Sequence, residues 1–425
     1  MTLKSLSNID VQNKTILYRA PYDIETKKDA NGVYEVTDET RISATIPTLK
    51  YLLEKNCKIV ILTWVKRPEG VDPTLTTEPH ARCLTRLLEH NVEYIPESIG
   101  EKVKQKISEM QAGQILMLEN VRFHKAEYED NNELAMELVK GCDLIVFDAF
   151  PQAHRVHSST TGILRNLQSV TGFYFEKEYT SLSKILKDPK RPFTALIGGA
   201  KVSDKIEAVK NLLKIADIIL VGGGLANAFL KAQGKEMGAS YIEDVYVDEA
   251  KGEKKDWVQY AKQILEESEN YSVENFSIAS DMKLSKILLP YDLIIGKDLK
   301  DDSITEVTKA YDNSNVVKPD FGAYDIGPET AKIYSEIISK SQTVFWAGPM
   351  GVFEKEGYAN GTKQIVHAIN NSSEDKLTIA AGGDSINALN DLGDPSKVSY
   401  VSLAGGATLD FLAGKEFPVL QYLEE

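Results

Sequence analysis

The chain has 425 residues, of which 42% are hydrophobic and 26% are charged. That length exceeds what one hydrophobic core usually organises, and it predicts two domains of roughly 200 residues each. The formal net charge of −14 argues against a nucleic-acid-binding protein, because such proteins carry a basic surface that neutralises backbone phosphates. We therefore expect no nucleic-acid partner, and any site for an anionic ligand must be a local exception.

The cysteines and the N-terminus indicate the compartment. Cys57, Cys83 and Cys142 are odd in number and form no CxxC pair, so neither disulfides nor a structural zinc is expected. Residues 1–10 lack the apolar core of a signal peptide, and no stretch reaches the length of a bilayer span. These features predict a cytoplasmic protein with no membrane partner.

The N-terminal half alternates between two periodicities. Short apolar runs rich in β-branched residues recur at 14–20, 58–64, 114–120 and 143–150, with segments of helical spacing between them. This alternation is typical of buried parallel strands with helices on both faces of the sheet. Next along the chain, helical spacing predicts a helix from about Tyr174 to Leu186, ended by Asp188-Pro189. We interpret it as the connector between two domains.

Apolar runs resume after residue 190, and most of them end in glycines. They lie at 193–199, 216–224, 286–296, 343–351, 377–384 and 400–406. Glycine after a strand is first a turn residue. In open α/β sheets, however, ligands bind beyond the carboxyl ends of the strands, where glycine lets the backbone approach phosphate. Repeated in one half of the chain, these turns favour a nucleotide site.

The segment 305–320 has weak periodicity and predicts a loop region.

The common nucleotide fingerprints are missing from the sequence. No GxxxxGK[ST] motif occurs, and GGGLAN from Gly222 to Asn227 lacks the last glycine of GxGxxG. Lys201 and Lys205, in GGAKVSDK, stand four residues apart just after a predicted strand. That spacing predicts both ammonium groups on one face of the first helical turns, either as a phosphate site or as a solvated basic face.

Seven motifs follow one another along the chain: LENVRFHKAE, DAFPQAHRVHSS, RPFTALIGGAKVSDKI, VGGGLANAFL, DIGPET, GPMGVFE and AGGDSINAL. In order and spacing they resemble the signature blocks of the phosphoglycerate kinase family, over roughly Leu6 to the C-terminus. The resemblance implies an α/β protein of two doubly wound parallel-sheet domains joined by a helix and hinge. It places a phosphoglycerate-binding domain at 1–172, the helix at 173–187 and a nucleotide-binding domain at 188–407, with the tail 408–425 returning to the first domain.

The activity that the resemblance implies is reversible phosphoryl transfer from 1,3-bisphosphoglycerate to ADP, giving 3-phosphoglycerate and ATP in glycolysis and gluconeogenesis. It also implies Mg²⁺ as cofactor, domain closure around the substrates and a monomeric enzyme. A carboxylate acceptor is already ionised at neutral pH and needs no general base. Catalysis then depends on positioning and on positive charge around the transferring group.

Site residues follow from the matching motifs. For the acceptor, the resemblance implies that Arg41 faces the transferring group, and that the other substrate-binding residues are Asp23, Trp64, Arg67, Arg122 and Arg155. Arginine suits this role because its planar guanidinium can bind phosphate or carboxylate bidentately. Read one at a time, each of these arginines is better explained as a surface ion-pair partner, and it is their position inside the matching motifs that favours substrate binding.

For the nucleotide, the resemblance implies that Lys201 and Lys205 bind the phosphates and act in catalysis with Arg41. It places Glu354 at the ribose and Asp384 at the Mg²⁺ ion, although an aspartate at a helix start is also an ordinary cap. The remaining nucleotide-binding residues that it implies are glycines and a serine at strand ends: Gly222, Gly223, Gly224, Gly382, Gly383 and Ser385.

Several positions depart from the family motifs, and most lie on the acceptor side. Where the family has Asp, Asn, His, Gly, Gly, Thr and Asn, this chain has, in order, Pro21, Asp23, Trp64, Lys66, Pro151, Gln152 and Ala347. The changes remove hydrogen-bonding groups and leave the arginines in place. They keep two alternatives open: a kinase for another small carboxylate, or a nucleotide-binding protein that has lost transfer activity.

Overall fold

The computed structural model describes residues 2–243, 245–248, 253–274, 276, 284–311, 315–373 and 375–425. It divides into two compact units, Met1–Thr180 with Glu416–Glu425 and Ser181–Lys415. The boundary lies within the helix Phe173–Lys187. The tail that joins the first unit begins at Glu416 rather than near 408, because the helix Gly406–Leu412 packs on the helix Ile206–Ile215 of the second unit.

The first unit is built on a six-stranded parallel sheet. From edge to edge its strands are Val92–Ile95, Ile115–Leu118, Lys58–Leu62, Thr15–Arg19, Leu144–Phe147 and Ser169–Thr171. The four inner strands are the four apolar runs predicted from the sequence. The two edge strands were not predicted, because they are short and more polar than the inner ones.

Helices cover this sheet, and a hairpin of Thr26–Lys28 with Tyr34–Val36 adjoins it. The apolar side chains of the central strand, Ile16 and Tyr18, pack in one buried cluster with Ile42 and Leu49 of the first long helix. The α-helices of the unit, besides Phe173–Lys187, are Thr40–Glu54, Glu78–Leu88, Glu101–Glu109, Asn132–Val139, Ile163–Asn166 and Leu420–Leu423.

The second unit is built on another six-stranded parallel sheet. Its strands, from edge to edge, are Ile287–Leu288, Ile218–Val221, Phe193–Ile197, Thr343–Ala347, Leu377–Ala381 and Tyr400–Ser402. Its α-helices are Ile206–Ile215, Gly223–Ala232, Trp257–Ser268, Pro328–Lys340, Asn360–Asn370, Gly383–Leu392 and Gly406–Leu412. The two parallel sheets confirm the predicted fold class.

Two predictions for the second unit were wrong. The run 286–296 is not one strand: Ile287–Leu288 pairs in the parallel sheet, and after Pro290 the chain forms Asp292–Gly296 in a separate antiparallel sheet. The segment 305–320 is not simply a loop, because Thr305–Lys309 pairs with Asp292–Gly296, and Asn315–Val317 pairs with Glu236–Met237. Thr305–Lys309 has no buried residue and Asn315–Val317 is only three residues long, so neither shows the apolar pattern of a buried strand.

The remaining strands form small sheets of the second unit. Gly322–Ile326 completes the antiparallel sheet, and Val245–Asp248 pairs with Glu253–Asp256.

In the described part of the chain, no helix is both long enough and apolar enough to cross a membrane.

Candidate active site

In the first unit, the predicted acceptor residues gather at the carboxyl ends of the parallel strands. Trp64 follows the strand Lys58–Leu62, and Arg122 lies in a short 3-10 turn just after Ile115–Leu118. Asp23 comes four residues after the central strand Thr15–Arg19. Because all these strands run parallel, their carboxyl ends meet at one edge of the sheet, where ligands of open α/β folds bind.

Trp64 is the centre of this group. Its side chain is 2% exposed, and the guanidinium carbon of Arg122 lies 3.8 Å from its ring centroid. A second arginine, Arg19, lies over the same ring at 4.3 Å. The indole Nε1 donates a hydrogen bond of 3.1 Å to Oδ2 of Asp23. The ring therefore contacts two cations, and its edge contacts an anion.

Asp23 connects Trp64 to the rest of the site. Its Oδ1 accepts a hydrogen bond of 2.8 Å from the backbone N–H of Lys66, and its backbone carbonyl accepts one of 3.1 Å from Nη1 of Arg41. Lys66 has a φ of +56°, a left-handed conformation that most readily accommodates glycine. This accounts for the glycine that the family motif has at this position.

Arg67 and Arg155 are exposed, and neither makes a side-chain hydrogen bond or an ion pair with the residues that the structure describes. Burial lowers the pKa of Arg122, and repulsion from Arg67 adds to the shift. Within the part of the chain that the structure describes, no carboxylate pairs with Arg67, Arg122 or Arg155.

Sequence reasoning missed two buried groups beside these residues. Arg19 is fully buried, and burial lowers its pKa to about 9. Glu127 accepts hydrogen bonds from the Ser159 backbone N–H at 2.8 Å and hydroxyl at 2.6 Å, and burial raises its pKa to about 7. The available signal for Arg19 was a charged residue at the end of an otherwise apolar strand. His157 lies beside Glu127, and burial lowers the pKa of its imidazole to about 4.

In the second unit, a cavity of about 440 Å³ lies at the carboxyl ends of the central strands. Its lining includes Lys205, Asp384 and Ala347, together with residues of three loops. The helices Gly383–Leu392 and Gly406–Leu412 both begin at this cavity. Unpaired backbone N–H groups at a helix start and the helix dipole favour a bound anion, so the cavity is suited to phosphate groups.

The start of the helix Gly383–Leu392 is shaped by its neighbours. Gly382, immediately before it, has a φ of +89°. The hydroxyl of Ser385 is fully buried and accepts a hydrogen bond of 2.6 Å from the Gly348 N–H. This bond ties the helix to the turn that follows the neighbouring strand Thr343–Ala347. Gly383 and Asp384 form the first turn and line the cavity.

The expected placement of the two lysines on a helix face was wrong. The helix begins at Ile206, so Lys201 and Lys205 lie in the preceding loop and turn. Lys205 lines the cavity, and burial lowers its pKa against the attraction of Asp204 and Asp384. Lys201 is exposed, and its charge also acts to lower the Lys205 pKa.

The three glycines Gly222, Gly223 and Gly224 allow close packing. A side chain at Gly223 would come within 2.8 Å of the Gly199 nitrogen, and one at Gly224 within 2.6 Å of the Ala200 carbonyl oxygen. They bring the start of the helix Gly223–Ala232 against the loop that leads to Lys201. Glu354 is exposed after the strand Thr343–Ala347.

Comparisons with known proteins agree over the whole chain. The family model described as "Phosphoglycerate kinase" matches residues 6–415. The phosphoglycerate kinase of Moorella thermoacetica is 37% identical to this chain, and the match covers 100% of both chains. The phosphoglycerate kinase of Pseudothermotoga lettingae is 38% identical, and the match covers 99% of this chain and 98% of that relative. The structure of phosphoglycerate kinase from Coxiella burnetii superposes with a TM-score of 0.82 at 31% identity, covering 99% of this chain and 98% of that one.

The family match and the full-length relatives show that the chain is a phosphotransferase with a carboxyl group as acceptor. The chain belongs to the phosphoglycerate kinase family. Its activity is phosphoglycerate kinase activity, that of an ATP-binding transferase of glycolysis.

Proposed function

We propose that the first unit binds 3-phosphoglycerate, that the second binds the adenine nucleotide, and that transfer relies on positive charge from Arg41, Lys201 and Lys205. The observation that carries this proposal is the cavity at the start of the helix Gly383–Leu392, which combines a helix N-terminus with Lys205 and Asp384. Such a combination suits the phosphates of a nucleotide.

On the acceptor side, Arg67, Arg122 and Arg155 bind the phosphate of 3-phosphoglycerate. Arg41 donates from Nη1 to the Asp23 carbonyl, and its positive charge stabilises the group in transfer. Asp23 and Trp64 complete the pocket. The exposed guanidiniums of Arg67 and Arg155 can turn toward an anion, because the described residues hold neither of them in a hydrogen bond.

The chemistry needs no proton transfer. In one direction an oxygen of the ADP β-phosphate attacks the acyl phosphate, the bond between phosphorus and the carboxyl oxygen breaks, and 3-phosphoglycerate leaves as a carboxylate. In the other direction that carboxylate attacks the γ-phosphate of ATP. His157, with a pKa of about 4, is uncharged near neutral pH. The positive charge that stabilises the transferring group therefore comes from lysine and arginine.

Mg²⁺ fits the second unit through Asp384. Magnesium in kinase sites is usually held by one or two carboxylates together with substrate phosphates, and Asp384 presents one carboxylate in the cavity. The bound ion would neutralise negative charge on the phosphates. Glu354 holds the ribose hydroxyls, and Gly222 to Gly224 flank the adenine. Gly382, Gly383 and Ser385 shape the phosphate end.

We also propose that the enzyme acts as a monomer in the cytoplasm. The cysteine pattern supports a reducing compartment such as the cytoplasm, and the resemblance to the phosphoglycerate kinase family supports the monomeric state.

The proposal is tested with the purified chain in a coupled assay with ATP, Mg²⁺ and 3-phosphoglycerate, beside a panel of other small carboxylates. We expect turnover of 3-phosphoglycerate and calorimetric binding of Mg-ADP that Asp384→Ala weakens. Asp391→Ala is the matched control, because Asp391 lies exposed in the same helix, away from its start. A chain that binds no adenine nucleotide, or that turns over only another acid, would refute the assignment.

A further inference from the structure

Two buried arginines, Arg19 and Arg122, lie against the ring of Trp64. Arg122 donates from Nη1 to the Lys66 carbonyl, and Arg19 donates to the carbonyls of Ser159 and Ala20. Within the described residues, neither guanidinium forms an ion pair with a carboxylate. Nη2 of Arg19 and Nε of Arg122 are buried without a hydrogen-bond partner among those residues. The indole ring is the group that both cations contact.

A ring face attracts a cation without neutralising its charge. Cation–π attraction is strongest when the pair is desolvated, as it is here, where Trp64 is 2% and Arg122 5% exposed. A carboxylate in the same place would cancel the positive charge that an anionic substrate needs. Asp23 is such a carboxylate, near enough to act on Arg122 electrostatically.

Trp64 also holds that carboxylate. Its Nε1–H bonds to Oδ2 of Asp23 at 3.1 Å, while Oδ1 is held by the Lys66 N–H at 2.8 Å. Both carboxylate oxygens are therefore directed to neutral N–H groups rather than to Arg122. The same aspartate accepts from Arg41 through its backbone carbonyl.

From this arrangement, and resting on the proposed function, we propose that Trp64 is a positioning residue that separates Asp23 from Arg122, so that Arg122 keeps its charge for the phosphate or carboxylate of the acceptor. The ring face holds the guanidinium, and the indole N–H holds the aspartate. A smaller side chain leaves space in which the two charges pair with each other and close the anion site.

The test is a set of variants assayed with 3-phosphoglycerate and ATP. Trp64→Leu removes the ring face and the N–H, and we expect the KM for 3-phosphoglycerate to rise roughly 10- to 100-fold, because Arg122 then pairs with Asp23 and the substrate loses a hydrogen bond to a charged group. The KM for ATP should stay within about twofold. Trp257→Leu is the matched control: Trp257 is also buried, with Lys255 over its ring, but it lies in the second unit.

The decisive variant is Asp23→Asn in the Trp64→Leu background. An asparagine cannot neutralise Arg122, so the double variant should recover most of the lost affinity. The single and the double variant lack the same tryptophan packing, so the recovery cannot come from packing. A loss in Trp64→Leu that Asp23→Asn fails to recover would overturn the proposal, as would an unchanged KM in Trp64→Leu.

Trp64→Phe guards against a folding defect, because it keeps an aromatic ring while it loses the N–H and the five-membered half of the indole. We expect its KM for 3-phosphoglycerate to stay within roughly threefold of the wild type, since the ring face remains. A loss as large as that of Trp64→Leu would overturn the role of the ring face. Calorimetric titration with 3-phosphoglycerate separates this inference from the proposed function: wild-type chain that binds the acid without turnover would refute the function, and the affinities of the variants would still decide the role of Trp64.

Discussion

Substitution of a single residue, Arg41, should distinguish an effect on phosphoryl transfer from an effect on substrate binding. Its Nη1 donates a hydrogen bond to the backbone carbonyl of Asp23, and we propose that its charge meets the transferring phosphoryl group. A group that acts mainly in the transition state affects the rate more than substrate affinity. We predict that Arg41→Ala lowers kcat by roughly 10²-fold, measured by steady-state kinetics, with little change in nucleotide affinity by calorimetry.

Arg86→Ala is the control for Arg41→Ala. Arg86 is an exposed arginine of the same unit that pairs with Glu39 at the surface, and its removal should leave kcat within a factor of two. Collapse of nucleotide binding in Arg41→Ala, with normal turnover of the bound fraction, would contradict the role that we assign to Arg41.

Because the carboxyl of Glu127 is buried, we predict that the free energy of unfolding depends on pH. This carboxyl has a pKa raised by burial from 4.5 to about 7, so the folded state favours the protonated form. Its contribution to stability is complete below pH 4.5 and is lost as the pH rises through 7, with a slope of at most about 1.4 kcal/mol per pH unit. The charged and titratable groups facing it are Arg19, Arg122 and His157.

The measurement is urea denaturation of the wild type and of Glu127→Gln between pH 4.5 and 8. Because the neutral amide does not ionise, the free energy of unfolding of the variant should rise relative to that of the wild type as the pH increases. His157 titrates in the same window in both proteins, so the difference between the two curves isolates Glu127. Parallel curves would show that Glu127 does not titrate in this range.

At the scale of an element, the start of the helix Gly383–Leu392 depends on two adjacent glycines with different roles. Gly382 has a φ of +89° and a ψ of 144°, a region that is nearly restricted to glycine and costs other residues on the order of 1–3 kcal/mol. Gly383 has no such φ, and a Cβ there would meet no atom within 4 Å.

We therefore predict opposite effects of the same substitution at neighbouring positions. Gly382→Ala should lower the free energy of unfolding by about 1 kcal/mol or more. Gly383→Ala should leave it unchanged or raise it by up to about 1 kcal/mol, because alanine loses less backbone entropy in a helix. Chemical denaturation followed by circular dichroism measures both. Equal losses at the two positions would mean that space rather than backbone conformation limits this turn.

At the scale of the whole molecule, separate sites on two compact units predict that each substrate stabilises its own unit. A ligand at 100 times its dissociation constant stabilises the state that binds it by about 2.7 kcal/mol. Hydrogen exchange should show Mg-ADP slowing exchange around 198–205 and 382–385. It should show 3-phosphoglycerate slowing exchange around 19–23 and 64–67.

Two variants make this prediction specific. Asp384→Ala should reduce the protection by Mg-ADP and leave that by 3-phosphoglycerate, whereas Arg122→Ala should do the reverse. Protection of the first unit by nucleotide alone, unaffected by Asp384→Ala, would contradict the assignment of the two sites to the two units.

The sequence by itself determined the parallel α/β class, the alternation of strands and helices in two halves, the helix between them and the family. These features depend on neighbours within a few residues: apolar periods, glycines after strands and short motifs. They can be predicted from the linear sequence because secondary structure depends largely on the local pattern of apolar and polar residues.

Only the tertiary structure decided how the site is assembled. Asp23, Trp64 and Arg122 are far apart in the chain, and their contacts exist because parallel strands bring their carboxyl ends together. The shifted pKa of Glu127 likewise arises from burial, which no local pattern specifies. The turn that holds Lys205 and the break at Pro290 were mispredicted for a related reason: local spacing resembles a helix or a strand, and packing against neighbouring segments selects the actual geometry.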